Sequence, residues 1–390
     1  MSTATISRWA RRFLVVAGLF LIASQVAALG GTPRRVEVVL GLQGFVLTTA
    51  FGKAYSLVPS YFDRSLAWPR ALGVHLPLAV IGVCCLALGG MQVGPDWLWT
   101  AGAGAWALGV AVFVATLIVT VGDNLTGSET GTGDSEAGRK RIDRYANAFV
   151  PLALLYLSTG AYELLAGATP LPAAFDGWYP RVAHLLAAGF ALLLLFAVGY
   201  RLLPRFLSVP TPTWLAGAVL PLGAAGPVLI AWGLPGGPVM SVGAAAEAAA
   251  VVGFAITYAV LVSRTDTERV GFYGPFAAVA LGVVGVALGV WFALDGSTAA
   301  LSLAHLRVNV FGLLGLSIVG VVYQFYPPAV GTWPLAGDRL ALVTIALIAA
   351  GVALAAVGAV LSDAVAAVGH VATGLGAFGY VYLLVSAIRR

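Results

Sequence analysis

Four histidines, His75, His184, His305 and His370, are the only imidazoles in the 390 residues, and imidazole is well suited to holding haem iron or copper. A histidine at membrane depth is costly unless it pairs with something. His184 and His305 are the stronger ligand candidates, because they fall at or two residues before a position that recurs along the chain. His75 and His370 read first as hydrogen-bonded residues near helix ends, with His370 kept as a candidate cofactor contact. Arg307 is the sharpest charged candidate. It lies inside an apolar run, stays protonated, and needs an acidic partner, a haem propionate or a water-filled cavity. Glu37, Glu163 and Glu247 are its candidate partners. Lys53 is expected to snorkel to the headgroups, and Asn309, Gln43 and Gln324 read as helix-to-helix hydrogen bonds rather than ligands. Cys84 and Cys85 are the only cysteines; as neighbours they offer neither a disulfide framework nor a thiolate metal site. No Gly-rich phosphate loop, nucleophile elbow or zinc-protease spacing occurs, and no residue is assigned a catalytic role.

The elements that position these residues are membrane-spanning helices. The chain is 60% hydrophobic and 9% charged, with a mean hydropathy of +0.95. A soluble domain carries about 25% charged residues, so the solvent for most of this chain is lipid. The 49 glycines fit, because small residues let helices approach where water supplies no driving force. Runs of roughly 20 apolar residues predict twelve spans near 10–30, 36–58, 71–91, 97–121, 146–168, 180–203, 213–233, 242–263, 271–294, 301–326, 340–360 and 365–387. The first span resembles a secretory signal with its Arg11-Arg12-Phe13-Leu14, but it is needed as a helix of the repeat described next.

Basic residues predict orientation. With a cytoplasmic N-terminus, the inner segments hold Arg8, Arg11, Arg12, Arg64, Arg70, Arg139, Lys140, Arg141, Arg144, Arg201, Arg205, Arg264, Arg269, Arg339, Arg389 and Arg390. The outer segments hold only Arg34, Arg35 and Arg181. Both termini are therefore expected in the cytoplasm, in the cell membrane, with His184, His305 and His370 toward the outer side. The net charge of +5 follows from this bias and does not point to nucleic acid. Residues 122–143, rich in Gly, Ser, Thr and acidic side chains, read as a flexible cytoplasmic linker. Asn124-Leu125-Thr126 within it reads as a chance glycosylation sequence on the wrong side.

Three segments beginning at Val39, His184 and Arg307 align without gaps. Five residues on stand Gly44, Gly189 and Gly312; sixteen on, Tyr55, Tyr200 and Tyr323; twenty on, Pro59, Pro204 and Pro327. Three matched columns in three helices predict an internal repeat. Glycine permits a close crossing, tyrosine suits the inner interface, and proline ends the helix for want of an amide hydrogen. The repeated helices are the second, sixth and tenth spans, so the repeat unit has four helices. The expected organisation is unit 1 over residues 1–121, the linker at 122–143, unit 2 over 144–264 and unit 3 over 265–390. The fold class is an all-α polytopic membrane protein with a pseudo-threefold axis along the membrane normal.

Ala304-His305-Leu306-Arg307-Val308-Asn309-Val310-Phe311-Gly312, followed by Tyr323-Gln324-Phe325-Tyr326-Pro327, resembles the tenth helix of haem-copper oxidase subunit I proteins. It is closer to their divergent nitric-oxide-reductase-like and NnrS-like branch. That family has twelve helices, threefold pseudosymmetry and cytoplasmic termini. Its tenth helix carries His-x-His, the first histidine on the active-site haem and the second sharing a low-spin haem with a second-helix histidine. Here His305 matches the first position and Arg307 replaces the second, while Glu37 and Val39 stand where the second-helix ligand would fall. His184 resembles a copper ligand, but the seventh span has no histidine. The resemblance thus implies loss of the low-spin haem, no copper and no oxygen or nitric oxide turnover. It leaves a single haem on His305, with His184 or His370 nearby and Arg307 toward a propionate, or else an Arg307–Glu37 ion pair in a vacated haem pocket. The metal-ligand candidates are His184 and His305.

Three functions stand open on these residues. One is a haem protein that senses or handles a small gas or assists respiratory-complex subunits. Another is a transporter or channel for protons or a small solute that kept the scaffold and lost the metals. The third is a structural subunit of a larger membrane complex.

Overall fold

A computed structural model describes residues 3–389. Met1, Ser2 and Arg390 lie outside the described residues. Every regular element among the described residues is helical. Twelve helices are long and apolar enough to cross a membrane: α1 Ala4–Leu29, α2 Arg34–Tyr61, α3 Ala71–Gly90, α4 Trp97–Asn124, α5 Glu136–Ala166, α6 Tyr179–Leu207, α7 Thr213–Gly233, α8 Pro238–Val262, α9 Val270–Asp295, α10 Ala299–Phe325, α11 Asp338–Leu361 and α12 Asp363–Ile388. The protein is therefore a multi-pass, membrane-embedded helical bundle. Twelve crossings bring the chain back to the side it started from, so both ends of the chain share one face, here the terminal face.

Of the twelve, α2, α6 and α10 are the most buried, and their middle parts touch one another. Each contains a π-helical stretch: Val39–Leu47, Leu185–Leu192 and Val308–Leu316. A π turn bonds five residues back instead of four, which widens the helix; such turns are rare overall and are frequent at functional sites. The aligned glycines sit in these stretches and face a neighbouring helix. A Cβ on Gly44 would lie 2.8 Å from Phe20 of α1, one on Gly189 2.5 Å from Tyr156 of α5, and one on Gly312 3.0 Å from Leu281 of α9.

Around this centre, α3–α4, α7–α8 and α11–α12 form tight antiparallel pairs. Their backbones approach at glycines, as small-residue packing in lipid requires. A Cβ on Gly82 would lie 2.7 Å from the Trp106 amide nitrogen, and one on Gly243 would lie 2.7 Å from that of Ile230. The first helix, whose signal-like sequence set it apart, is packed into the bundle. Gly18 of α1 meets Val381 of α12, and Gly52 of α2 meets Phe13.

Two sequence expectations change here. The repeated tyrosines are core residues rather than interfacial ones: Tyr55, Tyr200 and Tyr323 are all buried. The Tyr55 hydroxyl is 3.1 Å from His75 Nδ1, Tyr200 is 3.0 Å from Thr257 Oγ1, and the Tyr323 ring packs against Tyr380. Tyr55 and Tyr200, with internal polar partners, do not need the headgroups. Of the repeated prolines, only Pro327 lies beyond its helix; α2 and α6 continue past Pro59 and Pro204 to Tyr61 and Leu207.

The 122–143 stretch is docked on the terminal face rather than running free. The Asn124 side-chain amide donates to the carbonyls of Phe62 and Glu129 at 3.0 and 2.9 Å, so its nitrogen is committed inside the fold. Arg64 holds Asp123 at 2.9 Å and Glu129 at 2.6 Å. Asp143 accepts from Thr132 at 2.5 Å and from Arg205 at 2.7 Å, and Arg201 donates to Asn147 at 2.5 Å. The polar composition that suggested disorder instead supplies donors and acceptors to the exposed ends of α2 and α6.

These close crossings make a sharp prediction. Gly82→Ala and Gly243→Ala each press a methyl onto a neighbouring backbone and are expected to cost about 1–3 kcal/mol. Gly104→Ala, with nothing within 4 Å of its Cβ, is the matched control and is expected to be neutral. Thermal unfolding of the three variants in mild detergent measures the difference.

Candidate functional site

α6 and α10 both start at the face opposite the termini, and each carries a histidine in its opening turns. In α6, His184 Nδ1 lies 2.7 Å from the Pro180 carbonyl one turn earlier. In α10, His305 Nδ1 lies 2.9 Å from the Gly285 carbonyl of α9. A carbonyl can only accept, so these contacts assign the proton to Nδ1 and leave Nε2 unprotonated; at His305 the Gly285 carbonyl is nearer than the Asn309 amide nitrogen, 3.3 Å from the same Nδ1. The His305 ring lies beside Gly289, where a Cβ would be 3.3 Å from Cε1. Asn309 donates to the His305 carbonyl at 2.8 Å. The two imidazoles are 6.3 Å apart between ring centroids and inclined by 26°.

Both line one cavity of about 810 Å³, within the range of cofactor and ligand pockets. Its walls are mainly apolar, and the π-helical stretches contribute Leu42, Leu192, Val310 and Leu313 to them. Trp178 and Tyr179 roof it, Arg34 and Arg35 stand at its rim, and Glu247 lines it deeper in. The roof is held firmly. Glu163 accepts from the amides of Ala174, Phe175 and Gly177 at 2.6, 3.0 and 2.9 Å. Arg181 pairs with Asp176 and donates to the carbonyls of Ala231 and Leu234. The Arg181 guanidinium holds the Asp176 carboxyl below its usual range. That contribution is present at neutral pH and lost as pH falls through the lowered value.

The sequence candidates divide into two places. His184 and His305 share the cavity. Arg307, two residues after His305, turns away from it into the contact with α2 and α11. Its Nε and Nη2 donate to Glu37 at 3.2 and 3.0 Å, and Nη1 donates to the Ala355 carbonyl at 2.8 Å. Of the three acidic residues considered for Arg307, only Glu37 pairs with it. Glu163 is committed to the roof, and both Glu247 oxygens are buried without a hydrogen-bond partner. His370 is not at the cavity; its Nδ1 lies 3.0 Å from Gln25 Oε1. His75 is a core residue among Phe13, Phe51 and Phe113. Lys53 places its ammonium 3.4 Å from the Phe325 ring centroid instead of reaching for headgroups. Gln43 does link helices, accepting from the Tyr179 hydroxyl at 3.0 Å.

The donor set fits a haem. No cluster of three or more His, Cys, Asp and Glu side chains occurs among the described residues, whereas a bare zinc or similar ion needs three or four protein ligands. A haem brings its own equatorial nitrogens and asks only for axial imidazole. An apolar cavity with two uncommitted Nε2 atoms and a cationic rim meets that need. Sequence reasoning missed the rim, because Arg34 and Arg35 counted only as outer charges. It also missed Glu247 as a cavity residue, for which no sequence signal exists.

The Arg307–Glu37 pair gives a second prediction. Arg307→Met or Glu37→Leu alone leaves a buried charge unpaired and is expected to cost about 3–5 kcal/mol, while the double replacement recovers most of that loss. Denaturant unfolding in detergent reads the cycle. Compared with known proteins, the chain matches no protein-family model and no curated protein.

Proposed function

We propose that this chain is a divergent haem-copper-oxidase-like membrane protein that binds one haem in the cavity of His184 and His305 and does not turn over oxygen. The observation that carries the reading is the convergence of two imidazoles from α6 and α10, each with Nδ1 anchored and Nε2 free, in one apolar cavity. His305, with His184 beside it, would hold the iron. Arg34 and Arg35, which no carboxylate among the described residues pairs, are suited to the propionates. When bound, the haem supplies one-electron or diatomic-gas chemistry. The chain's own residues orient it, exclude water with apolar walls and close the roof through Glu163.

The scaffold supports the relationship. The π-helical stretches begin within one residue of the aligned positions Val39, His184 and Arg307. The repeated glycines each meet the first helix of their own four-helix unit, and the third and fourth helices pair closely in all three units. These likenesses support a reading of three parallel repeats about an axis along the membrane normal. The basic bias of the terminal face supports cytoplasmic termini in a cell membrane, which on this reading sets the cavity on the outer side. Arg307 and Glu37 satisfy each other where the family holds its second haem, which removes the internal electron donor of an oxidase. The functions this leaves are handling or sensing a small gas and service to a respiratory complex.

Glu247 favours a second reading. A buried carboxyl without a partner, lining a cavity, is a feature of proton and solute carriers, and on that reading the metals are lost. One measurement separates the two. Full-length protein purified in mild detergent from a haem-replete host is expected to show a Soret band that shifts on reduction. The band is expected to disappear in the His184→Ala/His305→Ala double variant. A colourless wild-type preparation contradicts the haem reading and leaves the carrier.

A further inference from the structure

Resting on the haem reading, we infer that His184 and His305 ligate the same iron from opposite sides, making a six-coordinate bis-histidine centre closed to external gas. The resemblance alone would place these residues on two different metals, with His305 on haem iron and His184 on copper. The geometry points elsewhere. Two imidazoles that bind one ion through Nε2, each at about 2.0–2.1 Å, have ring centroids roughly 6 Å apart. The observed separation is 6.3 Å.

The hydrogen bonds lead to the same arrangement. With both Nδ1 protons given to carbonyls, neither imidazole can donate to the other. No other described group donates to either Nε2. Both Nε2 atoms therefore stand at the cavity as acceptors without a protein donor. A single Lewis acid between them satisfies both at once. The anchoring is also what axial ligands require: a second hydrogen bond fixes the tautomer and the plane of each ring. The Pro180 carbonyl lies in the same helix as His184, and the Gly285 carbonyl is held in α9 behind His305, so neither ring has reason to swing away. Iron held in this way has no vacant position. The centre then serves electron transfer rather than capture of a gas.

The test uses the full-length protein purified from a haem-replete host, with spectra recorded oxidised, reduced, and reduced under carbon monoxide. Wild type is expected to give low-spin six-coordinate spectra in both oxidation states, unchanged by carbon monoxide. The inclination of 26° predicts the electron paramagnetic resonance signal of near-parallel axial imidazoles in the oxidised form. His184→Ala is expected to keep the Soret band, turn high-spin and gain carbon monoxide binding. A wild-type reduced form that binds carbon monoxide at once overturns the shared-iron inference while leaving the haem reading intact. A His184→Ala variant whose spectrum matches wild type also overturns it. Absence of any Soret band from wild type removes both. The wild-type spectra alone decide the matter if the variant does not fold.

Discussion

In hydrocarbon, a polar group that no neighbour satisfies costs several kcal/mol, and this constraint places the polar side chains at the centre of the bundle. Arg307 finds both carboxylate oxygens of Glu37 and a carbonyl of α11. Glu163 finds three amides of the roof loop. Both cavity histidines find carbonyls for Nδ1. Against that background the exceptions carry information. Several buried atoms stay unpartnered, among them the Nε2 of His75 and of His370, and one such group, the carboxyl of Glu247, belongs to a residue that lines the cavity.

The same constraint explains the division of labour along α10. His305 and Arg307 are two residues apart, about 200° around a helix of 3.6 residues per turn, so they face nearly opposite sides. One side serves the cavity and the other the ion pair. Arg307 and Glu37 satisfy each other, so the pair fills its own space between α2 and α10 without drawing on the cavity.

Much of the fold was legible in the sequence, because spans announce themselves by length and hydropathy. All twelve spans are found as helices with similar bounds. The glycine columns marked close crossings correctly, since the lack of a side chain has one main use in lipid. The tyrosines did not show their place. A tyrosine near a helix end suits an interface or a buried partner equally well, and the partners His75 and Thr257 lie on other helices. The 122–143 stretch has the composition of a disordered linker, yet Asn124, Thr132 and Asp143 each meet a group exposed by a helix end. At the site, pairing Arg307 with Glu37 was conceivable from sequence, but choosing it over Glu163 and Glu247 needed the fold. The separation of His370 from His184 and His305, and the place of Glu247 beside the cavity, depend on helix rotation that apolar all-round helices do not encode.

The central claim is that one haem occupies the cavity between α6 and α10. Its most direct measurement is the haem content per chain of purified protein, by the pyridine haemochrome assay against protein mass. The account predicts one haem per chain. None would contradict the haem reading, and two would contradict the view that Arg307 and Glu37 have replaced the second site.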